Sequence, residues 1–282
     1  MLDEAHLGGP GAISEGRGPL LVLGAGQRSG TTLLQRLLSS HPDVHIWGEA
    51  AGQLGWMLAA VEQMRFWTES VGGEGRQEFA EGGYQSFIAN LTPESSRIDD
   101  AMRRFVEVLY ADSALDLGRK VWGFKEVRYG LPEAQAIQRL FPEARVIHVV
   151  RDPRDILRSL DVWERNHIAW PRSETAITVS NWLRVTGSFL GAGPDSALPV
   201  LRLRYEDIVQ DPVAAAAQVG GFARLDPDCF DLAVFARKIH CGGPGREDDR
   251  EIRGWDALDA SVRALLDRDD IRTVATACDY RL

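Results

Sequence analysis

The chain has 282 residues, with 32 basic against 41 acidic side chains and a net charge of −9. Hydrophobic residues at 44% and charged residues at 26% lie near the averages of globular proteins, which excludes a wholly disordered chain and leaves enough apolar material for a sizeable core. So acidic a chain argues against broad binding to nucleic acid or to anionic membranes, although a local basic pocket is allowed. Residues 1–18 carry five glycines without periodicity and read as a flexible N-terminal tail. Order begins at Leu20, Leu21, Val22 and Leu23, a short apolar run that fits a buried strand. Residues 24–30 form a glycine-bearing loop. Leu33, Leu34, Leu37 and Leu38 then recur at helical spacing, so a helix starts near Thr31 and stops at His41-Pro42.

Further along, 52–66 reads as an amphipathic helix and 70–83, with five glycines, as a surface loop. Helices are expected over 97–115 and 132–140, the latter with Pro132 in its first turn. Residues 121–124 and 146–150 read as strands, and Ile156, Leu157, Leu160 and Trp163 as the apolar stripe of the helix after the second. Helices are expected over 174–190, 212–222, 228–237 and 258–277, a strand over 200–203 and a loop over 241–254. Strands that alternate with helices imply an α/β fold, a parallel sheet of about four or five strands flanked by helices. No internal repeat or linker divides the chain, so 19–282 reads as a single domain.

Cysteine and hydropathy patterns bear on location. Cys229, Cys241 and Cys278 form no CxxC pair and are too few for a disulfide framework, which fits a reducing compartment. No stretch approaches the ~18 apolar residues of a membrane span, and the acidic N-terminus lacks the form of a secretory signal. A cytoplasmic protein is expected. Three lysines against heavy Ala, Gly and Arg usage suggest a GC-rich bacterial genome.

Four constellations carry chemistry. Gly24 to Thr32 places Arg28-Ser29-Gly30-Thr31-Thr32 between a strand and a helix, where backbone N–H groups and the helix N-terminus cradle an anion. The triphosphate P-loop G-x-x-x-x-G-K-[ST], laid on Gly30, finds Thr31 in place of its lysine and Ala25 in place of its first glycine. Next, Arg151-Asp152-Pro153-Arg154-Asp155 follows the strand at 146–150, with Ser159 eight residues after Arg151. An arginine at a strand's carboxyl end suits a phosphate dianion. Lys125 follows the strand at 121–124, and Glu49 lies in Gly48-Glu49, a carboxylate able to act as a general base.

These residues in this order resemble the sulfotransferases that use 3′-phosphoadenylyl sulfate (PAPS), especially the branch of tyrosylprotein and bacterial sulfotransferases. The resemblance implies a P-loop layout with helical insertions, and a donor whose 5′-phosphosulfate lies on Arg28, Ser29, Gly30, Thr31 and Thr32. Arg151 and Ser159 match the 3′-phosphate site, and Tyr205 in Arg204-Tyr205-Glu206-Asp207 matches a tyrosine near the donor, although it reads equally well as core packing. Glu49 takes the position of the family's catalytic glutamate, and Lys125 that of the lysine at the leaving oxygen, with Arg28 assisting. Ala50-Ala51 replaces the Thr and Arg that follow this glutamate in the protein-acting branch. The acceptor implied is therefore a small molecule bearing an alcohol, phenol or sugar hydroxyl, with adenosine 3′,5′-bisphosphate as the product. No metal, nucleic-acid or membrane partner is expected.

Segments 51–119 and 163–175 resemble the family least and are expected to shape the acceptor side. Arg246, Arg250 and Arg253 are candidates to close over the donor. Trp56, Phe66, Trp67, Trp163, Trp170 and Trp182 are candidates for an acceptor pocket, although most read as core residues. His148 reads as a core histidine, and His240-Cys241 makes a poor metal site. Two other readings stay open: a triphosphate-dependent kinase with Asp152 as a Walker-B-like ligand, and a non-catalytic nucleotide-binding protein.

Overall fold

A computed structural model describes residues 18–166, 174–236 and 258–282. Five strands form one parallel sheet: β1 (Leu20–Gly24), β2 (Val44–Trp47), β3 (Val121–Glu126), β4 (Arg145–Val150) and β5 (Val200–Arg204). Their order is β2-β3-β1-β4-β5. The chain steps from β1 out to β2, returns to β3, then crosses to β4 and β5. Its direction therefore reverses beside β1, and the crevice at the strands' carboxyl ends opens there.

Period-two alternation sends strand residues to two cores. Leu20 and Val22 of β1, with Ile147 and Val149 of β4, face α1 (Thr31–Ser40). Leu21 and Leu23, with Trp122, Phe124, Val146 and Val150, face the opposite layer. That layer includes α2 (Gln53–Gly82), α3 (Ser95–Val106), α4 (Ser113–Asp116), α5 (Leu131–Leu140), α6 (Pro153–Asn166) and α7 (Thr175–Ser188). After β5, α8 (Tyr205–Gln210) and α9 (Pro212–Ala223) join the α1 side. The chain then returns to the α7 side through α10 (Ala260–Leu266) and α11 (Asp269–Thr276). Between α3 and α4, residues 107–112 form a π-helical stretch, where the Tyr110 carbonyl accepts the Trp47 indole N–H at 2.9 Å.

Several sequence expectations need correction. The loop expected over 70–83 is helix, since α2 continues to Gly82. Two of its glycines, Gly72 and Gly75, allow close approach. A Cβ at Gly72 would lie 2.1 Å from Thr92 Oγ1, and one at Gly75 would lie 2.9 Å from the Asn90 carbonyl. Residues 90–92 therefore pack directly on the α2 backbone, and Arg76 ties them down through the carbonyl oxygens of Thr92 and Pro93. The helix expected from 228 is two separate 3₁₀ turns. Asp226 and Asp231 each cap their own turn, accepting from the N–H groups of Asp228 and Ala233, and Phe230 stays extended between them. β2 had no counterpart among the expected strands.

The aromatics divide. Trp182 is core, but Trp56 at 75%, Phe66 at 71% and Trp67 at 51% are exposed, against the expectation of burial. Trp170, the tail up to residue 17 and the candidates Arg246, Arg250 and Arg253 lie outside the described residues.

The two kinds of α2 glycine should respond oppositely to a methyl group. Gly73→Ala meets only the Arg76 guanidinium, at 3.8 Å, and is expected to stabilise by up to about 1 kcal/mol through helix propensity. Gly75→Ala must push residues 90–91 off the helix and is expected to destabilise by about 1–3 kcal/mol. Thermal denaturation of the two variants checks both signs.

Candidate active site

The residues singled out in the sequence follow the carboxyl ends of all five strands or, for Lys125, sit within the last two residues of one. The loop after β1 is central. Gly26 (φ 89°), Arg28 (φ 64°) and Gly30 (φ 98°) are all left-handed. Positive φ at every second residue curls a chain so that successive N–H groups converge, and a non-glycine residue held there is a mark of functional loops. Gly30 is the N-cap of α1 and makes no side-chain cap bond, so the first N–H groups of the helix face the loop without intrahelical partners. Ser29 is 1% exposed, and its Oγ is buried without a hydrogen-bond partner. Gly24 makes room for it, because a Cβ there would lie 2.2 Å from that oxygen. A buried orphan hydroxyl beside free N–H groups is a seat for an oxyanion.

On the β4 and β5 side, the second motif closes onto this loop. The Arg151 guanidinium donates through Nη1 to the Arg28 carbonyl at 2.8 Å and stacks over the Tyr205 ring at 4.3 Å. Its own carbonyl accepts the Trp182 indole N–H at 3.0 Å. The Nε of Arg151 is buried without a partner. Arg28 Nε donates to Ser159 Oγ at 2.9 Å. The Tyr205 ring lies flat against Gly30, where a Cβ would come within 2.3 Å of it. Thus Arg28, Ser29, Gly30, Arg151, Ser159 and Tyr205 form one contiguous, largely buried cluster, and Thr31 and Thr32 open the helix beside it.

Beyond it, Glu206 accepts the Asp152 N–H at 3.1 Å and the Tyr280 hydroxyl at 2.6 Å, which ties the C-terminal segment to the Arg151 corner. The Asp152 carboxylate is taken up by Arg154, whose Nε lies 3.0 Å from both oxygens.

On the β2 and β3 side, Glu49 and Lys125 meet. Lys125 Nζ lies 2.7 Å from Glu49 Oε1, and Arg128 Nη1 lies 2.7 Å from Glu49 Oε2. Register places Lys125 opposite Val22 of β1, next to the central loop. Burial pushes the Glu49 carboxyl up, but the hydrogen bonds and charges of Lys125 and Arg128 outweigh it and hold the group below the usual carboxylate value. Behind it, Glu126 is 2% exposed and accepts from Gly52 N–H at 2.8 Å, Val127 N–H at 2.7 Å and Arg128 Nη1 at 2.7 Å. Sequence reading passed over Arg128 and the partners of Glu126. The signal available for them was four residues, Lys125-Glu126-Val127-Arg128, with three charges at the end of an apolar strand.

A model of the sulfotransferase family matches residues 19–228. Protein-tyrosine sulfotransferase 1 of Danio rerio is 27% identical over 198 residues, which cover 69% of this chain and 50% of that protein. The chain thus spans half the length of that curated relative. Two solved structures share the fold. The sulfotransferase domain from the curacin biosynthetic pathway has a TM-score of 0.53 at 16% identity, covering 94% of this chain and 99% of its own. The sulfotransferase domain from the Synechococcus PCC 7002 olefin synthase has a TM-score of 0.51 at 19% identity, covering 96% and 98%.

Gly30 carries both a left-handed backbone and the Tyr205 ring. Gly30→Ala is expected to cost about 1–3 kcal/mol of stability from backbone strain and overpacking. In a Tyr205→Ala background the steric part disappears, so urea denaturation of the four variants should show a smaller cost there.

Proposed function

The chain belongs to the sulfotransferase family, and on that premise we propose that it transfers the sulfuryl group of PAPS to a hydroxyl of a small-molecule acceptor. The observation that supports this reading most is the joining of two anion seats. Ser29 Oγ and Arg151 Nε are both buried and unpartnered, and the Arg28 carbonyl and guanidinium link Arg151 to Ser159. A donor with a 5′-phosphosulfate and a 3′-phosphate on one ribose needs two such seats side by side. The residues fit it: Arg28, Ser29, Gly30, Thr31 and Thr32 for the 5′ end, and Arg151 and Ser159 for the 3′-phosphate, with Tyr205 between the two.

PAPS supplies the activated sulfuryl group. Glu49 takes the proton of the acceptor hydroxyl while its oxygen bonds to sulfur. The bond from sulfur to the bridging oxygen breaks, and that electron pair leaves on adenosine 3′,5′-bisphosphate. Lys125, with Arg28 assisting, stabilises the charge that develops there. The proton ends on Glu49.

An uncharged small acceptor is favoured over an acidic peptide by the cations beside Glu49. Lys125 and Arg128 are already engaged with carboxylates. The adjoining helix α2 presents Trp56 and Trp67 to solvent, surfaces suited to an apolar body. The family match displaces the triphosphate-kinase reading. No helix among the described residues is long and apolar enough to cross a membrane, and the free thiols of Cys229 and Cys278 support a cytoplasmic setting. A single domain over 19–282 is supported by α10 and α11, which share a core with β1.

Titration calorimetry with adenosine 3′,5′-bisphosphate tests the donor assignment. Binding is expected, with Arg151→Ala weakening it by roughly 10–100-fold, the worth of a charge-assisted hydrogen bond. 5′-AMP should bind wild type comparably weakly. Glu49→Gln should leave bisphosphate binding at least as tight and lower turnover of PAPS with a panel of phenols and alcohols by about 10²–10⁴-fold. Preference for Mg-ATP would overturn the donor, and binding without turnover on any acceptor would favour the non-catalytic reading.

A further inference from the structure

Lys125 faces two demands in the proposed reaction, and the donor competes with Glu49 for its ammonium. It is 8% exposed and ion-paired to Glu49 Oε1 at 2.7 Å, yet its proposed task is at the bridging oxygen of the donor. When the donor draws it away, Glu49 loses one of its two cations. The side chain of Glu49, 30% exposed and two residues past β2, then needs another anchor to stay at the acceptor position.

We propose, resting on the reading above, that Arg128 is the positioning residue of Glu49: it holds Oε2 while Lys125 moves from Oε1 to the donor, so that the base stays in place through the reaction. Arg128 is anchored independently of Lys125. Its Nη1 lies 2.7 Å from Glu126 Oε1, and Glu126 is itself fixed by the N–H groups of Val127 and Gly52. Its carbonyl accepts Arg184 Nη2 from α7 at 2.6 Å. Its stem lies along Gly52, where a Cβ would come within 3.0 Å of its Cδ. One guanidinium nitrogen thus bridges the loop that carries Glu49 and the strand that carries Lys125. Among the described residues, the charged groups against Glu49 are Lys125 and Arg128. Glu126 lies next to Arg128, and Tyr129 and Tyr110 face Glu126 from the elements packed behind it.

The consequence is a proton signature that needs no acceptor. Departure of Lys125 raises the proton affinity of Glu49, so binding of adenosine 3′,5′-bisphosphate is coupled to proton uptake. With Arg128 present, the carboxylate keeps one cation and the uptake is confined to the acid side of the pH range. Without Arg128, a carboxyl already pushed up by burial has lost both of the cations that the described residues place on it, and uptake moves to higher pH. The measurement is calorimetry of the bisphosphate in buffers of different ionisation enthalpy across pH 4.5–7. Subtraction of Glu49→Gln removes the protons taken up by the nucleotide's own phosphates.

The Glu49-dependent uptake in Arg128→Ala is expected to lie at least about one pH unit above that of wild type, a tenfold change in proton affinity, with bisphosphate affinity changed by less than about threefold. Arg128→Lys keeps the charge without the fork and should shift the same band by a smaller amount. It also serves if the alanine variant does not fold. An unchanged band in both variants overturns the proposal. So does a loss of bisphosphate affinity as large as that of Arg151→Ala, because Arg128 would then be a donor ligand. Binding to wild type with no Glu49-dependent uptake overturns it as well, while leaving the donor assignment standing. No binding to wild type overturns the donor assignment and this proposal with it.

Discussion

A carboxylate buried at the end of a strand must be paired, because an isolated charge in the interior costs several kcal/mol. Glu126 is that carboxylate, and its partners arrange the β2 and β3 side of the site. The Gly52 N–H brings in the loop after β2, the Val127 N–H turns the chain out of β3, and the Arg128 guanidinium folds back over the strand end. The loop meets this demand at a cost, since Ala51 and Gly52 are both left-handed (φ 52° and 79°) and only glycine adopts that region freely. Glu49, Lys125 and Arg128 meet because the buried charge among them requires neighbours in fixed places.

The two halves of the site are built on different electrostatic plans. Arg151 donates to a carbonyl and lies over a ring face, neutral groups that orient the guanidinium, while the buried Asp155 carboxylate is within electrostatic reach. The orphan Ser29 hydroxyl and the N-terminus of α1 add donors of the same sign. In the proposed reading this half is a preformed seat for phosphate and needs little rearrangement. The other half is balanced, with two cations, Lys125 and Arg128, against two carboxylates, Glu49 and Glu126. A balanced cluster is stable as it stands and has to open to act. β1 runs between the two halves, and its loop touches both, through the Arg28 carbonyl on one side and the Gly26 N–H to the Val127 carbonyl on the other.

Most of the sheet was legible because its strands are apolar runs flanked by glycine and charge, as at Leu20–Gly24 and Arg145–Val150. β2 was not, because Val44–Trp47 is only four residues long and has His45 in its middle. Nothing local separates it from the turn after His41-Pro42. Its strand conformation comes from pairing with β3, 77 residues later in the chain at Val44 and Val121. The glycines of α2 misled for a related reason. Glycine weakens a helix by about 1 kcal/mol, so a cluster of them reads as a loop. Here the segment at 90–92 that packs into the glycine stripe makes the helix worth forming, and that contact is invisible in the glycines themselves. Tertiary packing overrode propensity in both places.

The site was legible wherever its chemistry is local. Arg28 to Thr32 and Arg151 to Ser159 each carry their own strand end and helix start, so the sequence offers both as candidate anion seats, the second through its resemblance to the family, and the structure puts Arg28 in contact with Arg151 and Ser159. Glu49 and Lys125 were legible as single residues but not as a pair, since 76 residues separate them. Arg128 was hidden by its setting: a basic residue two positions past a strand reads as solvated surface, and its two carboxylates come from different strand ends. The same geometry bears on how the base must work. A carboxylate held low by two cations is a poor proton acceptor, because proton transfer is most effective from a group whose pKa lies near the working pH. The arrangement described here therefore suits catalysis only once a competing anion has claimed Lys125. In the proposed reaction that anion is the donor, so the ion pair that holds Glu49 low is the contact through which donor binding would make it basic enough to act.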